Sequence, residues 1–320
     1  MTKPQSHAIF GAGQVGHKLA QLLVSRGHHV RLIRRSASGE AAANLTWMRG
    51  DAGDRQFADE ACRGADVVYN CANPSSYARW DGILQPLCTS IREAAGRAGA
   101  RLVVLDNLYM YGRPASSPFD ESTPMNPCSH KGEIRAQLAR ELMDAHARGD
   151  VRATSGRASD YISPDTMRAI VFNQRLFARL AAGKPVELFG DPDLPRSYNY
   201  VGDVARHLAV LGSDPRADGR VWHLPPANHG STRALVDDFA AALGVNARRR
   251  RVPKWLIRIA GLFSADIRAA REMMYQWEIP YAIDDTAFRN TFGVGASAID
   301  VIARAAVPQA DLLLAGAGPR

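Results

Sequence analysis

The stretch that decides the fold lies near the N-terminus and reads HAIFGAGQVG, residues 7–16. Its first part, HAIF, is a short apolar run that stops at a glycine and predicts a buried strand. The next part predicts a helix over 15–26, because apolar residues recur at helical spacing and Gly27 stands just past the end. A second strand, HVRLI at 29–33, completes a unit with the length of one βαβ crossover.

The glycine pattern inside this stretch, GAGQVG at 11–16, matches GxGxxG. The pattern is weak alone, but here it follows a predicted strand and opens a predicted helix. Gly11 permits the tight turn, Gly13 lets backbone N–H groups approach a pyrophosphate, and Gly16 allows close packing of the helix on the strand. The alternative is a glycine-rich turn without a ligand. The residues predicted to bind a dinucleotide here are Gly11, Gly13, Gln14, Val15 and Gly16.

The residues after the second strand distinguish the two nicotinamide cofactors. Enzymes that use NAD usually place an acidic residue there, which holds the ribose hydroxyls. This chain has Arg34 and Arg35 instead, and two guanidinium groups attract a 2′-phosphate that a carboxylate would repel. We therefore predict binding of NADP(H), with NAD(H) as the alternative if the arginines only end the strand. Asp51, after the third strand, is a candidate hydrogen-bond partner of the adenine.

Strands and helices alternate through the first half of the chain. Several strands are continuous apolar runs, which are typical of a parallel sheet covered by helices on both faces. The predicted fold class is α/β: a Rossmann-like, doubly wound parallel sheet with a smaller, mostly helical C-terminal substrate lobe. Further strands are predicted over 45–48, 66–70, 101–105 and 151–157, and helices over 54–62, 83–97 and 131–146.

The pattern changes after about residue 165, where a second domain is predicted to begin. Residues 1–165 form a dinucleotide-binding domain, to which the chain returns at about 186–211 and 220–225. Residues 166–310 form most of a substrate-binding lobe, and 311–320, which end in Gly and Pro, form a flexible tail. The elements expected in the second half are helices at 167–182, 201–211 and 232–243 and strands at 186–189 and 221–224.

Composition argues against several classes of function. No apolar run approaches the roughly 20 residues of a bilayer span, and the N-terminus lacks a signal peptide's apolar core, so a cytoplasmic protein without membrane contact is expected. Four widely spaced cysteines without a CxxC pair argue against disulfides and a metal site. The net charge of +8 includes the run Arg248–Arg251. We interpret this run as a solvated turn between helices, because no interleaved aromatic motif points to nucleic acid.

Five features recur in order along the chain. They are the glycine turn, NCAN at 70–73, the Tyr111-Gly112 pair, RASD at 157–160 and YVGDVA at 200–205. Together they resemble the extended short-chain dehydrogenase/reductases, the NAD(P)-dependent epimerase/dehydratase group, over about residues 7–210. The resemblance implies the Rossmann-like fold and implies that Cys71, Ala72 and Asn73, after the fourth strand, bind the cofactor.

The chain departs from this family at the residues expected to do the chemistry. The family's active site has a Ser or Thr four residues before the Tyr-Gly pair and a Tyr-x-x-x-Lys on the next helix. Here Asn107 stands at the serine position, and NPCSHKG at 126–132 contains no tyrosine. Aligned on its proline, the segment places Cys128 at the tyrosine and Gly132 at the lysine. Lys131 is one residue out of register, and a small shift of the helix start would bring it to the nicotinamide ribose.

Tyr109 is the candidate for the missing acid. It lies two residues after Asn107 and points the same way if the strand continues. Its phenol can then donate a proton while the Asn107 amide stabilises the oxyanion. A packing role stays open for Tyr109 and is preferred for Tyr111. A nucleophilic Cys128 is disfavoured, because His130 lies two residues further along a helix and does not face it.

Substrate-side candidates follow the sixth strand and lie in the lobe. Ligands gather at the carboxyl ends of parallel strands, so Ser159 is expected to face the cofactor and Asp160 the substrate. Arg196 and Tyr198 are expected to contact the substrate from the lobe.

These features predict an NADP(H)-dependent oxidoreductase acting on a small organic or biosynthetic substrate. It would be a carbonyl reductase, a hydroxyl dehydrogenase or an epimerase, with hydride transfer and a non-standard acid/base made by Asn107, Tyr109 and Lys131. The alternative is a non-catalytic NADP(H)-binding sensor or regulatory protein, which the absent Tyr-x-x-x-Lys favours. A homodimer through two long helices, which are common in this fold, stays open.

Overall fold

The computed structural model describes residues 3–36, 39, 42–74, 76–252 and 271–306. The chain divides into two compact units. Among the described residues, no helix has both the length and the apolarity that a bilayer span requires. The predicted tail, 311–320, lies outside the described residues. The first unit comprises Met1–Gly112, Pro127–Arg157 and Val204–Leu224, and the second comprises Arg113–Asn126, Ala158–Asp203 and Pro225–Arg320.

Strands and helices alternate along the described chain. The strands are β1 (Ser6–Phe10), β2 (His29–Arg34), β3 (Leu45–Arg49), β4 (Val67–Asn70), β5 (Arg101–Asp106), β6 (Arg152–Arg157), β7 (Asp160–Ser163), β8 (Phe172–Asn173), β9 (Val186–Leu188), β10 (Tyr198–Tyr200), β11 (Val221–His223) and β12 (Arg249–Arg251). The helices are α1 (Gln14–Ser25), α2 (Arg55–Cys62), α3 (Leu84–Arg97), α4 (His130–Ala147), α5 (Gln174–Ala181), α6 (Val201–Ser213), α7 (Thr232–Ala242), α8 (Thr286–Phe292) and α9 (299–306).

The sheet of the first unit is parallel and has the strand order β11-β6-β5-β4-β1-β2-β3. The chain begins in the middle at β1, runs outward to β3, and then returns to β4 on the other side of β1. Such a reversal is the switch point of a doubly wound sheet, where ligands bind at the carboxyl ends of the strands. The Rossmann-like parallel sheet predicted from the sequence is confirmed.

Packing of the first unit explains why its strands are apolar runs. Phe10, Val68 and Leu102 come from three neighbouring strands and are almost completely buried in one cluster with α2, α3 and α4. Small residues such as Ala58 and Ala94 bring these helices close to the strands. Burying one large apolar side chain contributes about 1.5–3 kcal/mol. The cluster therefore holds β1, β4 and β5 of the sheet against the helices that cover one face.

The second unit contains two small parallel sheets, β10-β7-β8 and β12-β9. Its core centres on three aromatic rings. Phe172 meets Tyr198 edge to face, with centroids 4.7 Å apart, and Phe239 of α7 lies 5.8 Å from Phe172. These rings pack β8 and β10 against α7.

One predicted helix of the second unit starts later than expected. The sequence pattern predicts a helix over 167–182, but α5 begins only at Gln174. The Asn173 side chain accepts a hydrogen bond from the Leu176 N–H, so it caps the helix at this point.

The arginine run also differs from the prediction, which made it a turn between helices. Three of its residues, Arg249–Arg251, form β12 and pair with β9. Arg249 contacts Asp237, and Arg250 Nη2 lies 2.5 Å from a carboxylate oxygen of Glu187. These carboxylates offset the repulsion between neighbouring arginines, so the segment can remain extended.

Candidate active site

Two of the three motif glycines are required by the backbone itself. Gly11 has φ +100°, and a Cβ there would lie 2.6 Å from the Cys71 carbonyl oxygen. A Cβ on Gly16 would lie 2.0 Å from the Gly11 carbonyl oxygen. The turn after β1 therefore packs against the segment after β4 and against its own helix. These are the close approaches that the sequence motif predicts.

The third glycine, Gly13, has a different environment. A Cβ added there would meet nothing within 4 Å, so its missing side chain leaves open space. Gly13 is the N-cap of α1, has no side-chain cap, and precedes a first turn without acidic residues. Such an end offers backbone N–H donors and a positive dipole end to an anion. The turn thus fits the pyrophosphate of a dinucleotide. Side chains of Asp54, Ser129, Asn173 and Ser231 cap α2, α4, α5 and α7.

Positive charge gathers at the ends of β2 and β3. Arg34 ends β2 and is paired in register with Arg49 of β3, and Arg35 follows as an exposed residue. The nearby carboxylate, Asp51, is exposed and accepts a hydrogen bond from the Gly53 N–H at 2.9 Å. The adenine contact expected of Asp51 stays a prediction.

The segment after β4 is held against the glycine turn. The Cys71 N–H donates to the Phe10 carbonyl at 2.8 Å, and the Ala72 N–H donates to Asn70 Oδ1 at 3.1 Å. Burial raises the pKa of the Cys71 thiol to about 12, so this side chain is a neutral thiol. Asn73 comes next, and its Oδ1 accepts a hydrogen bond from Arg135 Nη2 at 2.8 Å.

The chain after β5 does not continue as a strand. β5 ends at Asp106, and residues Tyr109–Tyr111 form a short 3-10 helix. Asn107 Oδ1 accepts a hydrogen bond from the Tyr109 N–H at 3.0 Å, and Asp106 Oδ1 accepts one from the Asn107 N–H at 2.8 Å. Both side chains offer the backbone an alternative to the strand ladder, so they end the strand. Because β5 ends at Asp106, the alternation expected for a continuing strand does not apply, although Asn107 and Tyr109 are joined by this hydrogen bond.

A second tyrosine joins Tyr109 in this region. The hydroxyl oxygens of Tyr77 and Tyr109 lie 2.7 Å apart. The Trp80 ring stacks on both tyrosine rings, with centroid distances of 5.4 Å to Tyr77 and 6.2 Å to Tyr109. Tyr77 and Trp80 are not among the residues predicted from the sequence. Two aromatic residues spaced by three, in the connection between β4 and α3, are the signal that could have found them.

Lys131 lies in the same group. It occupies the first turn of α4, is only 6% exposed, and places its ammonium nitrogen 6.0 Å from the centroid of the Tyr77 ring. The next residue, Gly132, stands where the family has its lysine, and a Cβ there would lie 2.7 Å from the Tyr109 carbonyl oxygen. Gly132 therefore allows the 3-10 turn to lie close to the start of α4, beside Lys131.

Three residues close to this group in the sequence have other surroundings. Cys128 is exposed, and His130 Nε2 lies 2.5 Å from Asp81 Oδ1 at the surface. Tyr111 is fully buried, and its hydroxyl bonds to His223 Nε2 at 2.7 Å and to Arg157 Nη1 at 2.6 Å. These contacts agree with the packing role preferred for Tyr111.

The predicted residues of the second unit contact other residues of that unit. The Ser159 hydroxyl donates to the Ser197 carbonyl at 2.7 Å. Arg196 is 3% exposed, forms an ion pair with Asp160, and lies 4.0 Å from the centroid of the Trp277 ring. These polar groups are therefore engaged within their own unit.

Two further residues of this unit are fixed by buried hydrogen bonds. The Tyr198 hydroxyl bonds to Thr232 Oγ1 at 2.9 Å, and burial raises the pKa of Tyr198. Asp203, in the YVGDVA segment, accepts hydrogen bonds from the Ser297 N–H and hydroxyl at 2.7 and 2.6 Å. In the part of the chain that the structure describes, no group of three His, Cys, Asp or Glu residues is arranged to hold a metal ion.

A doubly wound parallel sheet with an uncapped glycine turn at its switch point defines a dinucleotide-binding protein of the Rossmann type. The family model of the NAD dependent epimerase/dehydratase family matches residues 9–224, so the chain belongs to that family. It is therefore an NAD(P)-dependent enzyme of the short-chain dehydrogenase/reductase superfamily. The resemblance inferred from the five sequence features is confirmed.

Individual relatives are distant. A UDP-glucose 4-epimerase of Streptomyces lividans is 25% identical over 287 residues, which cover 78% of this chain and 86% of that protein. A UDP-glucose 4-epimerase of Mycolicibacterium smegmatis is 25% identical over 257 residues, which cover 73% and 80%.

Solved structures show the same fold. A short-chain dehydrogenase/reductase superfamily protein of Agrobacterium tumefaciens with bound NAD gives a TM-score of 0.75 at 17% identity, covering 98% of this chain and 100% of that one. The UDP-glucose 4-epimerase of Thermotoga maritima with UDP-glucose gives 0.73 at 15% identity, covering 97% and 99%.

Proposed function

We propose that the protein is an NADP(H)-dependent oxidoreductase or epimerase that works without the family's Tyr-x-x-x-Lys. The observation that supports it most is the group formed by Tyr77, Tyr109 and Lys131 next to Asn107. It offers phenol donors, a cation and a carboxamide at the carboxyl end of β5. Acid–base help at a substrate oxygen and stabilisation of its negative charge need these types of group.

The roles proposed for the chain's residues follow from their chemistry. When bound, the nicotinamide supplies or accepts a hydride at its C4 atom. Tyr109 would donate a proton to the substrate oxygen or take one from it. The NH₂ group of Asn107 would donate a hydrogen bond to the developing oxyanion, since its Oδ1 already accepts from a backbone N–H. Lys131 would hold the ribose and stabilise the phenolate.

The preference for NADP(H) over NAD(H) is proposed from charge. Arg34 stands at the end of β2, where an acidic residue would bind ribose hydroxyls, and Arg35 is exposed beside it. Several similar structures carry bound NAD, so the preference depends on these two arginines alone. Ser159 is proposed as a further cofactor residue.

The substrate is proposed to be a small organic molecule with a carbonyl or hydroxyl group. Nucleotide sugars belong among the candidates, because relatives are UDP-glucose 4-epimerases. Asp160, Arg196 and Tyr198 are proposed as substrate-side residues. Arg196 would then have to exchange Asp160 for an anionic group of the substrate, since the two are ion-paired.

Turnover by the purified protein tests this proposal. NADPH with a panel of carbonyl compounds should lose absorbance at 340 nm, and UDP-glucose with NADP⁺ or NAD⁺ should be converted to its epimer by an epimerase. Asn107→Ala should abolish most of the activity while leaving cofactor binding intact. If the protein binds NADPH but turns over neither group of substrates, the catalytic proposal fails.

The second candidate function is a dinucleotide sensor without turnover. The observation that favours it is that none of the five lysines in the sequence follows a tyrosine by four residues. A sensor would bind NADPH, show no activity on the panel, and retain its behaviour in a Tyr109→Phe variant. Pull-downs with and without NADPH would then recover a protein partner that depends on the dinucleotide.

A further inference from the structure

Arg135 lies on the face of α4 that carries Lys131, one turn further along the helix. Its side chain is almost completely buried, and its guanidinium carbon lies 4.8 Å from the centroid of the Trp80 ring. A buried arginine is costly unless its donors are bound. The groups that bind its guanidinium therefore indicate the role of Arg135.

Two side chains at the carboxyl edge of the sheet bind the guanidinium. Arg135 Nη2 donates to Asn73 Oδ1 at 2.8 Å, and Nη1 donates to Asp106 Oδ1 at 3.3 Å. Asp106 ends β5 and is itself buried, so the ion pair neutralises two buried charges. Asn73 lies three residues after the end of β4. Arg135 thus ties the ends of two neighbouring strands to α4.

The contact determines how the Asn73 amide is turned. A guanidinium has only donors, so it can bind the oxygen of a carboxamide but not its NH₂ group. Rotating the amide by 180° would place its NH₂ group against the Arg135 guanidinium, so that two donors face each other. A buried, charge-assisted hydrogen bond would then be lost. Asn73 is therefore held with its NH₂ group directed away from Arg135, as a fixed hydrogen-bond donor.

We infer that Arg135 is a positioning residue for the dinucleotide: it holds Asn73 so that the amide NH₂ donates to an oxygen of the bound cofactor. The inference rests on the proposed function, since it needs a dinucleotide at this edge of the sheet. Ribose, phosphate and carboxamide oxygens are all acceptors for such a donor. Asn107 follows the same logic, because its Oδ1 accepts from the Tyr109 N–H.

Binding of NADPH by the purified full-length protein tests this inference without a substrate. Arg135→Lys should weaken binding about tenfold, because lysine keeps the charge but cannot hold Asn73 and Asp106 in one fork. Asn73→Ala should weaken it by a similar factor. The double variant should bind no worse than Asn73→Ala alone, since Arg135 acts through Asn73. Arg140→Lys, on the exposed side of the same helix, is the control and should bind like the wild type.

Fluorescence titration gives the affinities and thermal unfolding gives Tm for each variant. Additive losses in the double variant would show that Arg135 does not act through Asn73. An Arg135→Lys protein with a lower Tm but an unchanged affinity would show that Arg135 only stabilises the fold. Either result overturns the inference.

Asn73→Asp covers the case in which Arg135→Lys does not fold. Its carboxylate still accepts from Arg135, so Tm should be kept, while loss of the NH₂ donor should weaken NADPH binding. Unchanged affinity in this variant also overturns the inference. If the wild type binds neither NADPH nor NADH, the proposed function fails and the inference with it. Binding without turnover leaves the test valid.

Discussion

The hydroxyl oxygens of Tyr77 and Tyr109 lie 2.7 Å apart, although the two residues follow different strands, β4 and β5. A phenol that gives up its proton becomes an anion, and a neighbouring hydroxyl or cation stabilises it. Lys131 provides the cation, 6.0 Å from the Tyr77 ring centroid. The segments after two strands and the start of one helix thus bring together tyrosine and lysine side chains, which the family carries on one helix.

Removal of these hydroxyls should lower the rate of the reaction without weakening cofactor binding. With the best substrate of the panel, Tyr109→Phe should lower kcat by about 10²–10⁴-fold, the range for loss of a general acid. Tyr77→Phe should lower kcat less, by about tenfold, since it would act through a hydrogen bond to Tyr109. NADPH affinity, measured by fluorescence, should stay unchanged in both.

Tyr200→Phe is the control, because Tyr200 is a half-buried tyrosine of the second unit. It should retain the wild-type kcat. Full activity in Tyr109→Phe would contradict the proposed acid, and loss of NADPH binding in both tyrosine variants would indicate a cofactor contact instead.

Two glycines of the motif should respond differently to the same substitution. Gly13→Ala places a methyl group in open space, so the protein should fold with an unchanged Tm while NADPH binding falls. Gly16→Ala places it 2.0 Å from the Gly11 carbonyl oxygen, so Tm itself should fall. Thermal unfolding with and without NADPH measures both effects. Normal NADPH affinity in Gly13→Ala would exclude this turn as the pyrophosphate site.

The cofactor preference should depend on the arginines after β2. We expect Arg34→Ala combined with Arg35→Ala to weaken NADPH binding by about 10–100-fold, because two charge-assisted contacts to the 2′-phosphate are lost. NADH, which lacks that phosphate, should bind equally well before and after the change. Arg26→Ala, at the exposed end of α1, is the control. A wild type that binds NADH as tightly as NADPH would contradict the preference.

The glycine turn and the sheet around it were largely predictable because their features are local in sequence. The turn at 11–16, the strand it follows and the helix it opens lie within one βαβ unit, and the apolar runs predict the sheet. Backbone sterics alone explain Gly11 and Gly16. Short motifs with a fixed backbone geometry can be recognised directly in a sequence.

The proposed catalytic group was less predictable because its contacts join distant residues. Asn107 ends the strand through its own side chain, so the alternation expected of Tyr109 does not apply. Tyr77 reaches Tyr109 across 32 residues, and Arg135 reaches Asn73 across 62. No sequence periodicity links these pairs. The arginine run was mistaken for a turn for the same reason, since its stabilising carboxylates come from other elements.

His7, at the opposite end of β1 from the glycine turn, should make the stability of the protein depend on pH. Burial and the neighbouring His28 lower its pKa from 6.5 to about 4, whereas Asp66 acts weakly in the other direction. Its ring nitrogens have no hydrogen-bond partner among the described residues, so the folded state favours the neutral ring.

The unfolded chain binds a proton at His7 near pH 6.5, whereas the folded chain does so only near pH 4. Stability from this group is therefore complete above pH 6.5 and is lost as the pH falls from 6.5 to 4, by on the order of 3 kcal/mol. Urea unfolding at pH 7.5 and 5 measures the part of this loss that occurs above pH 5. His7→Leu should reduce the difference, and His29→Gln, an exposed histidine on the adjacent strand, should leave it as in the wild type. An unchanged pH dependence in His7→Leu would assign the effect to another group, of which His28 is the nearest, since its pKa is also lowered by burial.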